Sequence, residues 1–183
     1  MSIKLDGITP TGTFGDWTFF DEILADYPQE LDLALDTVFK TNPLNLAKIY
    51  AIGCQVVNGT NYLCIGQRER NQNGKTVEDF ITFVINIPLG VDGYKNAKII
   101  KQEVADETIL SDDAEKAFSA ATSQLVGTVN KPLIELGFSP ADKGIDYHFI
   151  CQSKPVYPAA RPYLTYFVIN FFNGVYSIVT IKQ

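Results

Sequence analysis

Gln55-Val56-Val57-Asn58-Gly59-Thr60-Asn61-Tyr62-Leu63 reads as the tip of a β-hairpin. Ile49-Tyr50-Ala51-Ile52 precedes it and Tyr62-Leu63-Cys64-Ile65 follows, so apolar runs flank a short polar turn. Asn58-Gly59 is a strong turn signal, because a tight two-residue hairpin turn needs positive φ at both central residues. With that pair at the turn, Val57 faces Thr60, Val56 faces Asn61, Gln55 faces Tyr62, Cys54 faces Leu63 and Ile52 faces Ile65. Strand alternation then collects Ile52, Cys54, Val56, Leu63 and Ile65 on one face, which the pattern predicts to cover a helix. Ala51, Gly53, Gln55, Tyr62 and Cys64 fall on the other, smaller and more polar face of a one-sided sheet. Val57 and Asn58 come to the tip, where a partner can reach them.

Working towards the N-terminus, Leu31, Leu35, Val38 and Phe39 recur at helical spacing after Asp26-Tyr27-Pro28-Gln29. Pro28 suits a first helical turn, and Asn42-Pro43 should stop the helix. Thr18-Phe19-Phe20-Asp21 has the spacing of a capping box and predicts a short helical segment. Before it, Gly7, Pro10, Gly12 and Gly15 mark residues 1–17 as an extended leader. Towards the C-terminus, the polar loop Asn71 to Lys75 leads into a strand whose Ile81, Phe83, Ile85 and Ile87 share a face. Pro88-Leu89-Gly90-Val91-Asp92-Gly93 turns the chain, and residues 96–104 return as a last strand. The first half is α-β-β-β-β with an antiparallel sheet.

The second half repeats this order. Ser111 starts a helix with Asp112, Asp113 and Glu115 in its first turn, where acidic residues suit the helix dipole. That helix is expected to run to about Asn130. Tyr62-Leu-Cys-Ile65-Gly-Gln67 then recurs as Tyr147-His-Phe-Ile150-Cys-Gln152, and Phe83-Val84-Ile85-Asn86 as Phe167-Val168-Ile169-Asn170. Ile100-Lys101-Gln102 recurs as Ile181-Lys182-Gln183. Three blocks in the same order argue for two copies of one module, residues 1–105 and 106–183. The second is rich in aromatics, and the consecutive Phe171 and Phe172 put some of them on an outward face. An intermodule or homodimer interface over residues 157–176 is the expectation there.

Composition bounds the function. Of the 183 residues, 46% are apolar and 20% charged, which is the balance of a folded globular chain. A net charge of −6 argues against a nucleic-acid partner, since phosphate binding needs clustered Lys and Arg. No apolar run is long enough to span a bilayer. The start, Met1-Ser2-Ile3-Lys4-Leu5-Asp6, has no signal-peptide core, which predicts a cytoplasmic protein unless a leader was cut away. Cys54, Cys64 and Cys151 are odd in number and read as reduced, mostly buried thiols. In the register above Cys54 and Cys64 point to opposite faces.

Catalytic and metal chemistry finds little purchase. His148 is the only histidine, and Cys151 lies three residues on along the same strand, facing the other way. His148 reads as a plain strand histidine. No metal-ligand cluster, Walker loop or dinucleotide fingerprint is present, so neither metal nor cofactor is expected and the residues argue against an enzyme.

Gln55-x-Val57-x-Gly59 followed by Thr60-Asn61-Tyr62 resembles the first inhibitory hairpin of the cystatins, reversible inhibitors of papain-like cysteine proteases. Ile87-Pro88-Leu89-Gly90 is similar to the Leu-Pro-Gly form of that family's second hairpin. The resemblance spans roughly residues 28–102. It implies an α+β fold of two cystatin-like modules, each one main helix on a four-stranded antiparallel sheet. It implies a non-covalent wedge made of Gln55, Val56, Val57, Asn58, Gly59, Pro88, Leu89 and a leader glycine, Gly12 or Gly15. The second module has Ser139 to Gly144 in place of the motif and keeps a glycine and a tyrosine but not Gln-x-Val. The protein partner so implied is a papain-like cysteine protease. The alternative is a non-inhibitory structural or interaction module on the same scaffold.

Overall fold

The computed structural model describes residues 17–183. It is α+β, with two helices and two antiparallel sheets of five and four strands. The chain divides between Ala105 and Asp106 into two compact units. No helix among the described residues is long and apolar enough to cross a membrane.

In the first unit the elements are β1 (Trp17–Leu24), α1 (Gln29–Thr41), β2 (Leu46–Val57), β3 (Gly59–Gln72), β4 (Lys75–Ile87) and β5 (Lys98–Ala105). The strands lie in chain order across the sheet. Helix α1 starts on the Pro28 carbonyl, which accepts the Leu31 and Asp32 amides, and it ends before Pro43 as the residue preceding proline leaves the helical region. Leu31, Ala34, Leu35 and Val38 form its buried stripe at i, i+3, i+4 and i+7. The stripe packs on Ala51, Tyr62, Cys64, Ile81, Phe83, Ile85 and Ile87 of the sheet. Each fully buried Leu, Ile or Phe stabilises by about 1.5–3 kcal/mol.

Three expectations for this unit are corrected. The sheet has five strands, because Trp17–Leu24 is β1 and not a helical segment. Tryptophan, threonine and two phenylalanines favour a pleated surface, and the capping-box spacing is overridden. Gly53 makes room for the extra strand: a β-carbon there would stand 2.7 Å from the Phe19 ring. The β2–β3 hairpin is one residue tighter than expected, closing around Asn58 alone. Val57 pairs with Gly59, Gln55 with Asn61 and Cys54 with Tyr62, and a bulge follows between Ala51 and Gly53. A one-residue slip exchanges faces, so Tyr62 and Cys64 meet the helix while Leu63 and Ile65 turn away from it. Cys54 and Cys64 consequently lie on the same face as free thiols. The second face is not polar either: Leu63, Ile65, Phe80 and Val84 are all buried.

The second unit comprises α2 (Asp112–Thr122), β6 (Thr128–Pro140), β7 (Ile145–Pro155), β8 (Tyr163–Phe172) and β9 (Val175–Lys182), again in chain order. Helix α2 stops at Thr122, eight residues short of the expectation. Gly127 adopts φ +87°, and the β-branched Val126, Thr128 and Val129 around it favour extended backbone. Ser111 occupies the N-cap position without making a side-chain cap bond. Glu135 of β6 serves instead: its carboxylate accepts the Ser111 amide at 2.9 Å and the Ser111 hydroxyl at 2.6 Å, placing a negative charge at the helix start. Ala114, Ala117 and Phe118 pack on Phe149, Cys151, Phe167 and Ile169.

The registers of the two units can be laid side by side. Tyr62 faces Ile85 and Tyr147 faces Ile169. Ile100 is the unpaired residue at the β4–β5 bulge and Val179 the unpaired residue at the β8–β9 bulge. The first two repeated blocks therefore fall on corresponding strand positions and faces. The third does not, since Ile100 corresponds to Val179 and not to Ile181.

Candidate functional site

Three segments reach the same end of the first unit. The hairpin tip Val56 to Thr60 is one. The second is the loop after β4, because Thr60 pairs with Ile87 across β3 and β4. The third is the start of β1, where Trp17 pairs with Gln55. Gly12 and Gly15 lie outside the described residues.

Gly59 locks the first two together. Its φ is +118°, a conformation that L side chains rarely adopt. A β-carbon on it would collide with the Ile87 carbonyl oxygen and stand 2.9 Å from Pro88 Cα. The following loop is folded equally closely, because a β-carbon on Gly93 would collide with the Pro88 carbonyl oxygen. Gly93 also donates its amide to Gly90 at 3.1 Å.

Gln55 is not a free side chain at the tip. Its amide oxygen accepts Asn61 Nδ2 at 2.9 Å, and Asn61 Oδ1 accepts Asn86 Nδ2 at 2.8 Å. This amide ladder ties β2, β3 and β4 together just behind the tip. A partly buried ladder of this kind favours one register, because each unmade bond would leave a polar group unpaired. Val56 (54% exposed), Leu89 (73%) and Val91 (100%) then present apolar surface to solvent. Asn58 is exposed with them, while Val57 and Pro88 are half-buried. No charged residue occurs from Gln55 to Asn61 or from Asn86 to Val91, and the Asp92–Lys95 ion pair stands beyond at 2.9 Å. These two segments are uncharged and held by tight backbone contacts.

The same construction recurs at the β6–β7 tip of the second unit. Gly144 has φ +81°, and a β-carbon on it would collide with the Phe171 carbonyl oxygen. Asn170 Nδ2 donates to Asp146 Oδ1 at 2.8 Å, as Asn86 does to Asn61. The side chains differ: Phe138, Ile145 and Phe172 are exposed apolar groups here.

His148 proves more connected than a plain strand histidine. Nε2 lies 2.8 Å from the Ser139 hydroxyl and Nδ1 3.0 Å from the Tyr166 hydroxyl. Burial holds its pKa below the usual histidine range, with Asp146 pulling weakly the other way. The alternation of β7 alone left this arrangement invisible, because Ser139 and Tyr166 belong to the neighbouring strands and lie diagonal to His148, opposite Asp146 and Ile150. Among the described residues, the His148 ring has Ser139 and Tyr166 as its hydrogen-bond partners. The buried Cys64 and Cys151 thiols are pushed up by burial, which keeps them protonated and unreactive. Tyr62, between Cys54 and Cys64 on the helix-facing side, is pushed up to about 12 by burial first and by Glu30 second. Among the described residues, no group of three His, Cys, Asp or Glu side chains could hold a metal ion.

The neutral form of His148 is the one the fold favours, so the sign of its pH effect is set. Unfolded histidine titrates near pH ~6.5. The contribution of His148 is present above that value and is lost as pH falls below it, because the unfolded chain takes up the proton first. Denaturant midpoints should therefore drop between about pH 7 and pH 5, and His148→Asn should flatten that part of the profile. Asp79 acts in a lower window. Its carboxylate accepts Arg68 Nε and Nη2, both at 2.9 Å, and this bonding holds its pKa down; its contribution is lost only as pH falls below about 4.

No family model, curated protein or solved structure matches the chain. The functional reading therefore rests on the site itself.

Proposed function

We propose that the chain is a non-enzymatic binding protein of two cystatin-like modules whose first module plugs the cleft of a papain-like cysteine protease reversibly, through Gln55 to Gly59, Pro88-Leu89 and the leader. The observation that carries this reading is the contact of Gly59 with the Ile87-Pro88 backbone. It joins two apolar tips into one rigid edge, and rigidity lowers the ordering cost of binding. Gln55 supports the edge from behind through the amide ladder, and Val56, Leu89 and Val91 supply the contact area. An uncharged tip suits a narrow cleft, where an unpaired charge would be costly to desolvate. The repeated glycine, asparagine side-chain bond and bulge in the second unit support two copies of one module, the second having lost the contact residues.

The test compares inhibition by wild-type protein, Leu89→Glu and Phe172→Glu. Leu89 is an exposed loop residue, so its substitution should leave thermal stability unchanged. Loss of a buried anchor and burial of a charge should weaken inhibition by about tenfold to a hundredfold, or about 1.4–2.8 kcal/mol. Phe172→Glu should inhibit like wild type. Equal inhibition by all three removes the second tip from the reading. The competing reading, a non-inhibitory assembly module, is favoured by the exposed Phe138, Phe172 and Tyr157 of the second unit. It predicts self-association that Phe172→Glu abolishes.

A further inference from the structure

The residue at the centre of the first tip is an asparagine followed by glycine, and the pair has chemistry of its own. An exposed Asn-Gly amide is thermolabile. The backbone nitrogen of the glycine can attack the asparagine side-chain carbonyl carbon, forming a C–N bond and expelling ammonia. Water then opens the five-membered imide at either carbonyl, leaving aspartate or isoaspartate. Glycine permits the attack because it has no β-carbon to obstruct it.

The chain has three such pairs: Asn58-Gly59, Asn73-Gly74 and Asn173-Gly174. Their surroundings differ. Asn73 sits at φ +53° in the β3–β4 turn, and the Gly74 amide is donated to Asn71 Oδ1 at 3.1 Å, which occupies the attacking nitrogen. Asn173 sits at φ +51° in the β8–β9 turn beside an unobstructed Gly174. Asn58 is exposed, and its carboxamide has no hydrogen-bond partner among the described residues. Gly59 beside it adopts φ +118° against the Ile87 and Pro88 backbone.

We propose that Asn58 is a self-modifying site, converting through a succinimide with Gly59 to aspartate or isoaspartate, and that this conversion switches off the docking edge. The switch rests on the docking reading above; the conversion does not. Two consequences act together. A negative charge appears in a hairpin segment that has none, and charge-changing modifications disrupt apolar interfaces through desolvation. Isoaspartate also adds a main-chain carbon between residues 58 and 59, where Val57 pairs with Gly59 and Gly59 abuts Ile87.

The experiment ages the full chain in warm, mildly alkaline buffer and maps isoaspartate and aspartate at all three pairs by peptide mass spectrometry. Asn58 should convert at a rate comparable to Asn173 and several-fold faster than Asn73. An unchanged Asn58 beside a converted Asn173 overturns the proposal, whatever the protein binds. In the second arm the converted fraction, separated by its extra charge, is titrated against a papain-like protease beside fresh protein and aged Asn58→Gln. Inhibition should be lost in the converted fraction, while ageing should leave Asn58→Gln at the level of the same variant unaged, because it has no side chain able to close the five-membered ring. A converted fraction as inhibitory as fresh protein overturns the switch. Fresh protein that does not inhibit overturns the docking reading, and the switch with it, while the mapping still decides the chemistry.

Discussion

Gly59→Ala is expected to destabilise the protein by about 2–5 kcal/mol, from strained backbone and from overpacking together. Each part is visible in the fold. The φ of +118° is costly for any residue with a β-carbon, and the new methyl would have to displace the Ile87 carbonyl, which belongs to a paired strand and cannot swing aside. Gly144→Ala should behave alike, since its β-carbon meets the Phe171 carbonyl in the same way. Gly74→Ala supplies the comparison. Its φ is +76°, but nothing lies within 4 Å of the added carbon, so only the conformational penalty of about 1–2 kcal/mol remains. Denaturant titration of the three variants separates packing from backbone strain. Equal losses in all three would mean that the contact between Gly59 and the Ile87 backbone does not exist in solution. The same numbers bear on how the hairpin motif is read. A glycine that the sheet itself requires at two tips carries no message about a protease by its presence alone.

The other large effect lies in the cores. Phe83→Ala and Phe167→Ala should each cost about 3–5 kcal/mol, the usual range for a buried phenylalanine that leaves a cavity. Both rings are fully buried in strands facing a helix. Phe83 meets the edge of Phe39 at 6.1 Å, and Phe167 meets Phe118 at 6.0 Å. Phe83 and Phe167 begin the second repeated block, so similar losses are expected of two residues in corresponding surroundings. A loss below about 1 kcal/mol at either position would contradict the helix-on-sheet packing of that unit.

These residues also show what could be read before the structure. Ile81, Phe83, Ile85 and Ile87 share the helix-facing side as their alternation requires, because a long strand with one strongly apolar parity leaves no freedom of register. The β2–β3 hairpin was different. The pattern made Ala51, Gly53, Gln55, Tyr62 and Cys64 the more polar face, but both faces of the sheet are buried, so that contrast did not decide between registers one residue apart. The choice fell to turn chemistry, which favoured a two-residue turn. What decides it is non-local: Gly59 must lie against Ile87, a residue 28 positions away. The β1 strand was missed for a related reason. A four-residue capping pattern is weak beside an unfilled sheet edge with a glycine, Gly53, positioned to accept Phe19.

The site was legible in part. Val56, Asn58, Pro88 and Leu89 are brought to one end, as their places at two turns suggested. The role of Gln55 was not legible, since its partners Asn61 and Asn86 lie on two other strands. Asn86 and Asn170 did stand in the same repeated block, and Asp146 one residue before Tyr147 mirrors Asn61 one residue before Tyr62. That coincidence was the available signal for the ladder. The contact between Ser139 and His148 could not be read along β7, because it is a diagonal contact across the β6–β7 pair, with Ser139 opposite Asp146.

The most direct test of the wedge is a titration of a papain-like cysteine protease with the wild-type protein, read as residual activity at several substrate concentrations. The account predicts stoichiometric inhibition that substrate competes away and that dilution reverses. Full protease activity at micromolar protein would contradict it, and would leave Gln55 to Gly59 as a hairpin built for its own sheet.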